Sequence, residues 1–213
     1  MKNKYIILFM NESDKYKTIK ALSQGVYKEK GSRFIAFAYP VSTQEEIKAI
    51  IEKTRKDHHE ARHHCFAYMI GQERLTWRVN DDGEPSGTGG KPILGQINSL
   101  GLTNILIVVS RYFGGTLLGV SGLINAYRTA AAAALENADI VERTLREFHE
   151  ITYPYDCMND VMKILKEEGA DQSDQKVDIE CCIKISFRKS AREKILKRLS
   201  RIDELRDTYI KTQ

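Results

Sequence analysis

The segment whose residue types could support the most chemistry is residues 81–92. It is acidic and glycine-rich and reads DDGEPSGTGGKP. Its three carboxylates are oxygen ligands of the kind that magnesium prefers. Alternatively, the backbone amides of residues 87–90 could cradle a phosphate at the start of a helix, with Lys91 as counter-charge. The spacing does not match a Walker phosphate loop. An Asp-Gly turn followed by a Ser/Thr helix cap explains the pattern equally well, so the three interpretations stay open.

A second candidate loop covers residues 111–123 and reads RYFGGTLLGVSGL. It follows a strongly predicted strand and precedes a predicted helix, where free backbone amides and the helix dipole favour an anion. Alternatively, the glycines only permit a tight crossing from strand to helix, with Tyr112 and Phe113 in the core. The candidate ligand or RNA residues of the two loops are Asp81, Asp82, Glu84, Ser86, Gly87, Thr88, Lys91, Arg111, Tyr112, Gly114, Gly115 and Ser121.

A histidine cluster at residues 58–65, HHEARHHC, contains four of the five histidines. If a helix extends that far, His59 and His63 have the i, i+4 spacing of a zinc site. His63 and Cys65 would share one face of a strand, as a base and a nucleophile could. Because the other ligands or partners of such sites are missing, we expect structural histidines here. The sequence therefore predicts no metal, no cofactor and no catalytic residue, and we lean against an enzyme.

The elements that must position these loops follow from local patterns. The predicted strands of the first half are residues 33–41, 65–70, 75–79 and 104–110. Thr43 and Glu46 form a capping box for a helix that runs to about Lys56. After the second loop, a helix is predicted to bury the face made by Leu123, Tyr127, Ala130 and Ala134.

The second half has a different rhythm, with the order β-α-β-β-α-β that is typical of a ferredoxin-like split motif. Asp156 is predicted to cap its first helix, with Gly169 as the stop, while Ser190 and Glu193 are predicted to cap the second. The charged stretch at residues 137–147 is predicted to be a linker between the halves.

Composition excludes several classes of protein. The 213 residues are 42% hydrophobic and 29% charged, which is typical of a globular chain. The apolar run at residues 5–10 is too short for a signal peptide or a membrane span. Four cysteines without a CxxC pair suit a reducing compartment, so we expect a cytoplasmic protein with no membrane partner.

The net charge of +4 is distributed unevenly along the chain. Residues 141–213 hold 15 basic and 15 acidic side chains, so the whole excess lies in residues 1–140. A polyanion is therefore expected to bind the first part of the chain. The candidate phosphate contacts are Lys28, Lys30, Arg33 and Arg128.

Four segments together resemble the IMPACT family, particularly its bacterial YigZ-like members. They are GSRFIAFAYPV (31–41), HHEARHHCFAY (58–68), DDGEPSGTGGKPIL (81–94) and RYFGGTLLGVSGLINAY (111–127). The resemblance covers about residues 16–210. In two places the chain departs from the commoner pattern: Gly89 stands where alanine is usual, and Ser121, which could cap a helix, where glycine is usual.

The resemblance implies an α+β fold in two domains after an N-terminal extension at residues 1–15. Residues 16–140 would form the IMPACT N-terminal domain, an α/β sandwich similar to a domain of a small-subunit ribosomal protein and to domain IV of elongation factor G. Residues 141–213 would form a ferredoxin-like domain similar to domain V of that factor. The matched positions include His58, His63 and Cys65 as well as residues of both loops.

The family is tied to regulation of translation, which implies a protein that binds RNA, the ribosome or the translation machinery through its N-terminal domain. Two other classes stay open. One is an enzyme or binder of a phosphorylated small molecule that uses residues 81–92 and 111–123, and the other is a protein–protein adaptor whose glycine-rich loops are only structural.

Overall fold

The computed structural model describes residues 14–213, which form two compact units. The first comprises residues 16–143, and the second comprises residues 144–213 with Asp14 and Lys15. Residues 1–13 of the predicted N-terminal extension lie outside the described residues. Within residues 14–213, no helix is long and apolar enough to cross a membrane.

The first unit is built on a five-stranded antiparallel sheet of order β2-β3-β6-β4-β5, and β1 and β7 form a separate two-stranded sheet. The elements are β1 (Lys15–Ile19), β2 (Ser23–Glu29), β3 (Ser32–Pro40), α1 (Gln44–Asp57), β4 (His63–Ile70), β5 (Thr76–Asn80), α2 (Gly90–Ser99), β6 (Ile105–Tyr112), α3 (Gly119–Glu136) and β7 (Ile140–Thr144).

Both faces of the five-stranded sheet are covered, which explains why β3 and β6 are apolar almost throughout. Alternate residues such as Ile107 and Val109 pack with α2 and α3, while Leu106 and Val108 pack with α1. The alanines of α3 let it approach the sheet closely. A Cβ on Gly25 of β2 would lie 2.2 Å from the backbone nitrogen of Ala134, so glycine is needed at that contact.

Local sequence signals predicted this unit well. The Thr43 hydroxyl accepts a hydrogen bond from the Glu46 amide at 3.2 Å, and the Glu46 carboxylate accepts one from the Thr43 amide at 3.3 Å, which confirms the capping box. Strand β5 pairs with β4 as the predicted hairpin partner. The predicted buried face of α3 is confirmed at all four positions.

The second unit has the predicted order β-α-β-β-α-β. Its elements are β8 (Arg146–Pro154), α4 (Met158–Glu167), β9 (Asp171–Lys176), β10 (Glu180–Arg188), α5 (Arg192–Leu199) and β11 (Arg206–Thr212). The four strands form an antiparallel sheet of order β11-β8-β10-β9. Alternate residues of β8 and β10, such as Ile151 and Ile183, pack into one core with both helices.

Three predictions at element boundaries are wrong. Asp156 lies in a 3-10 turn, and Cys157 is the N-cap residue of α4. Ser190 also lies in a 3-10 turn, where its hydroxyl donates to Asp14 at 2.7 Å instead of capping α5. Much of the predicted linker at residues 137–147 belongs to strands β7 and β8. The prediction failed because strands pair through backbone hydrogen bonds, which the polar side chains of this segment do not indicate. Gly169, with φ of +63°, does end α4 as predicted.

Candidate functional site

The acidic loop between β5 and α2 is organised around the Asp81 carboxylate. Its Oδ2 accepts a hydrogen bond from the Gly87 amide at 2.8 Å, and its Oδ1 accepts from the amides of Gly89 and Gly90 at 2.9 and 2.8 Å. Asp81 therefore caps α2 from the end of the preceding strand. The amides predicted to cradle a phosphate are occupied by the protein's own carboxylate, and the predicted Ser/Thr cap is also wrong.

The charge of Asp81 is stabilised where it lies. Partial burial by itself raises the pKa of this carboxyl group, but the three backbone amides, with a contribution from Lys91, outweigh burial and hold the pKa below its ordinary value of 3.8. The Lys91 side chain packs against Gly87. Lys91 therefore supports the internal cap.

The other two carboxylates of the loop point to different partners. Asp82 accepts a hydrogen bond from the His64 amide at 2.7 Å and forms an ion pair with Arg55. Glu84 is buried, and its Oε1 accepts from Arg111 at 2.6 Å and from the Tyr127 hydroxyl at 2.8 Å. Across residues 14–213, no group of three or more His, Cys, Asp or Glu side chains is arranged to hold a metal ion. The magnesium interpretation is therefore not supported by the geometry.

Cys65 lies under this loop as a packing residue. Its thiol donates to the Asp81 carbonyl oxygen at 3.1 Å, and burial raises its pKa, which disfavours the thiolate that a nucleophile needs. Both observations disfavour Cys65 as a nucleophile. A Cβ on Gly89 would lie 2.5 Å from the Cys65 sulfur, so a side chain at this position would require Cys65 to shift.

The histidines of residues 58–65 bind separate partners. Helix α1 ends at Asp57 and His63 begins β4, so the predicted helical i, i+4 pair of His59 and His63 is wrong. His63 Nδ1 lies 2.8 Å from the Asp82 carbonyl oxygen, and His64 Nε2 lies 3.2 Å from the His58 carbonyl oxygen. Burial lowers the pKa of His64 and so favours its neutral form.

The second loop joins β6 to α3 and packs against the tip of the β2–β3 hairpin. A Cβ on Gly114 would lie 1.9 Å from the carbonyl carbon of Gly31, and the Gly114 amide donates to the Ser32 hydroxyl at 3.1 Å. Gly115, with φ of +87°, makes the turn. Ser121 lies within the first turn of α3, whose N-cap residue is Leu118, so its predicted capping role is wrong.

The predicted basic residues of the hairpin lie beside this loop. Lys28, Lys30 and Arg33 are exposed, and the Arg33 guanidinium lies 4.5 Å from the centre of the Tyr112 ring. Cross-strand pairing places Lys28 opposite Arg33 and Arg33 opposite Tyr112. We call Lys28, Lys30, Arg33 and Tyr112 the basic edge. The other predicted phosphate contact, Arg128, is exposed on α3.

Between the two candidate loops lies a pocket of about 360 Å³, which we call the loop pocket. Its polar lining includes Arg62, His63, Glu84 and Arg111, and its apolar lining includes Phe113, Leu117 and Val120. Phe113 is exposed at the pocket, so its assignment to the core is wrong. The sequence analysis missed the pocket, although large apolar residues inside a glycine-rich loop were a usable signal.

Comparison with known proteins relates this chain to one family. Residues 30–135 match the family described as the Impact N-terminal domain. The chain is 38% identical over 152 residues to the IMPACT family member YvyE of Bacillus subtilis, a match that covers 71% of this chain and 70% of that one. It is 40% identical over 132 residues to YigZ of Escherichia coli, covering 58% of this chain and 65% of YigZ.

A crystal structure of a hypothetical protein superposes with a TM-score of 0.68 at 27% identity, covering 92% of this chain and 98% of that one. The fold and the loops thus define a mixed α/β protein in two units, the first carrying an Impact N-terminal domain. The chain belongs to the IMPACT family and is similar to its bacterial members, as the four sequence segments predicted.

Proposed function

We propose that this protein is a cytoplasmic, translation-associated regulator that binds RNA or the ribosome through its first unit. Membership of the IMPACT family, which is tied to translation, supports the role in translation. We further propose that the first unit is of the ribosomal-protein and elongation-factor domain IV type. The strand order β11-β8-β10-β9 supports a ferredoxin-like assignment for the second.

The observation that carries the binding proposal is the basic edge. Its three cationic side chains lie together on one exposed hairpin, and long basic side chains held at the surface are the usual contacts to phosphates. The Arg33 guanidinium stacked on Tyr112 is held in place by that ring, which reduces the entropy lost when it binds a phosphate. A polyanion can therefore bind here without rearrangement of the strands.

The charges of the second unit are largely satisfied internally. Arg198 pairs with Glu167 and Glu168, each at 2.5 Å, while Lys184 pairs with Asp174 at 2.9 Å. With 15 side chains of each sign in residues 141–213, little field is left to attract a polyanion. This balance supports binding through the first unit.

Co-sedimentation of the full chain with ribosomes across a salt series tests the proposal. We expect binding at low salt that weakens steeply as salt rises, because neutralised phosphates release counterions. A thermal-shift screen with magnesium and nucleotides, run beside it, tests the small-molecule alternative. Absence of ribosome binding together with stabilisation by a nucleotide would contradict the proposal.

A further inference from the structure

The apolar side of the loop pocket consists of side chains that are exposed to solvent. Leu117 is 83% exposed and Val120 is 58% exposed, and Phe113 lies beside them. Contiguous exposed apolar side chains rimmed by polar groups usually mark a binding surface. These side chains offer apolar surface against which a ligand could pack.

The His63 ring in the pocket lining has one nitrogen bonded to the protein and one that is not. A carbonyl oxygen can only accept, so the 2.8 Å contact with Asp82 requires the hydrogen of His63 on Nδ1. In the neutral ring, Nε2 is then an acceptor. It lies 3.9 Å from Glu84 Oε1, beyond hydrogen-bond distance, and that oxygen already accepts from Arg111 and Tyr127.

Two guanidinium groups line the pocket together with His63. The exposed Arg62 lies with its guanidinium 5.5 Å from the centre of the Phe113 ring. Arg111 is buried in the lining, and its Nε has no hydrogen-bond partner within residues 14–213. A guanidinium only donates, so the polar side of the pocket combines one acceptor with neighbouring donors.

We propose that the loop pocket binds one unstacked nucleobase of single-stranded RNA, with uracil or guanine preferred. These bases carry an imino N–H next to a carbonyl oxygen. The imino N–H can donate a hydrogen bond to Nε2 of a neutral His63, and the carbonyl oxygen can accept one from a guanidinium. Adenine and cytosine present an acceptor nitrogen next to an amino group on the same edge, which opposes this arrangement. Recognition of splayed bases through these edges is the usual mode of single-strand RNA binding.

The pocket and the basic edge are connected through the second loop. Phe113 lines the pocket, Tyr112 carries Arg33, and Gly114 packs against Gly31 at the hairpin tip. Arg33 and Tyr112 lie on the face of the sheet opposite to His63 and Arg111, so an RNA strand with a base in the pocket would reach the basic edge by passing around the second loop. The inference rests on the proposed function and specifies the RNA side of it.

Fluorescence anisotropy with short labelled oligo-U and oligo-A tests the inference on the full chain. We expect oligo-U to bind about tenfold more tightly, as one well-placed base contact allows. Leu117→Ser combined with Val120→Ser should weaken oligo-U binding about tenfold by removing the apolar contact and leave oligo-A binding unchanged. His63→Leu, which removes the acceptor, should abolish the preference for uracil. Leu75→Ser, at a leucine 82% exposed outside the pocket lining, is the matched control and should change neither affinity.

Equal, salt-dependent affinity for both oligonucleotides, unchanged in the pocket variants, would overturn this inference and leave the proposed function standing. Competition by free uridine monophosphate as effective as that by oligo-U would assign the pocket to a free nucleotide and overturn the RNA source. If no oligonucleotide binds, the inference fails, and ribosome co-sedimentation decides the proposed function separately.

Discussion

Asp81 illustrates what a residue pattern can and cannot predict. The sequence identified residues 81–92 as an ordered, glycine-rich loop before a helix, and that loop is present. Which group would meet the loop amides could not be read from the pattern, because a carboxylate of the chain and a phosphate satisfy the same donors. The structure shows the internal solution, in which one side chain binds three amides.

Replacing Asp81 with Asn should lower the free energy of unfolding at neutral pH by about 2 kcal/mol, since three hydrogen bonds to a charged group become bonds to a neutral one. The folded-state pKa of Asp81 lies below its ordinary value of 3.8, so its stabilisation is complete above that pH. It is lost as the pH falls through the folded pKa. Urea unfolding of both proteins from pH 7 downward should show the gap narrowing below pH 3.8, and a gap that stays constant would rule out the ionised cap.

The Gly89→Ala variant should be destabilised by about 1–3 kcal/mol, because its Cβ would lie 2.5 Å from the Cys65 sulfur in a closed core. Gly95→Ala is a control inside α2, the helix that Gly89 precedes as N-cap residue, and a Cβ on Gly95 meets nothing within 4 Å. That variant should gain about 1 kcal/mol from helix propensity. Thermal melts that place the two variants at the same stability would contradict the packing argument.

At the scale of elements, Gly114 sets how closely the β2–β3 hairpin approaches the second loop. The Gly114→Ala variant should force the hairpin tip away from the loop, since the new Cβ would meet the Gly31 backbone at 1.9 Å. We expect a lower melting temperature and weaker RNA binding, because the basic edge and the loop pocket both depend on this contact. Thr116→Ala, at an exposed position of the same loop, should change neither. Wild-type affinity in a folded Gly114→Ala protein would separate RNA binding from the hairpin contact.

Elements with a strong local signal were predictable, and those defined by backbone pairing alone were not. Strand β6 is an unbroken apolar run, and α1 carries its capping box, so both follow from short windows of sequence. Strand β7 is polar and mostly exposed, and it resembles a linker until its partner β1 is known. The 3-10 turns before α4 and α5 were missed because Asp156 and Ser190 are residue types that commonly cap helices.

At the scale of the whole molecule, the boundary between units falls at residues 143 and 144. A protein that ends at Arg143 should therefore unfold cooperatively, because the cores on both faces of its sheet consist of residues from the first unit. Circular dichroism during urea unfolding checks this expectation. A broad, non-cooperative transition would show that the first unit depends on the second.

The apolar residues of the second loop were a usable signal, but the complete lining of the loop pocket could not be predicted from sequence, because its parts come from distant positions. His63 begins β4 and Phe113 follows β6, and the register of these strands sets His63 opposite Arg111. Glu84 of the acidic loop joins them by accepting a hydrogen bond from Arg111. The basic edge was partly predictable, since Lys28, Lys30 and Arg33 are close in sequence. Their position beside Tyr112 depends on the pairing of β3 with β6.

The salt dependence of RNA binding tests the central claim most directly. The triple variant Lys28→Gln, Lys30→Gln and Arg33→Gln should reduce the slope of log affinity against log salt by about 2, at about 0.7 for each lost phosphate contact. The control Lys48→Gln, Lys53→Gln and Lys56→Gln removes the same charge from exposed positions of α1 and should leave the slope nearly unchanged. Equal slopes for wild type and the hairpin variant, or an equal loss in both variants, would contradict binding at the basic edge.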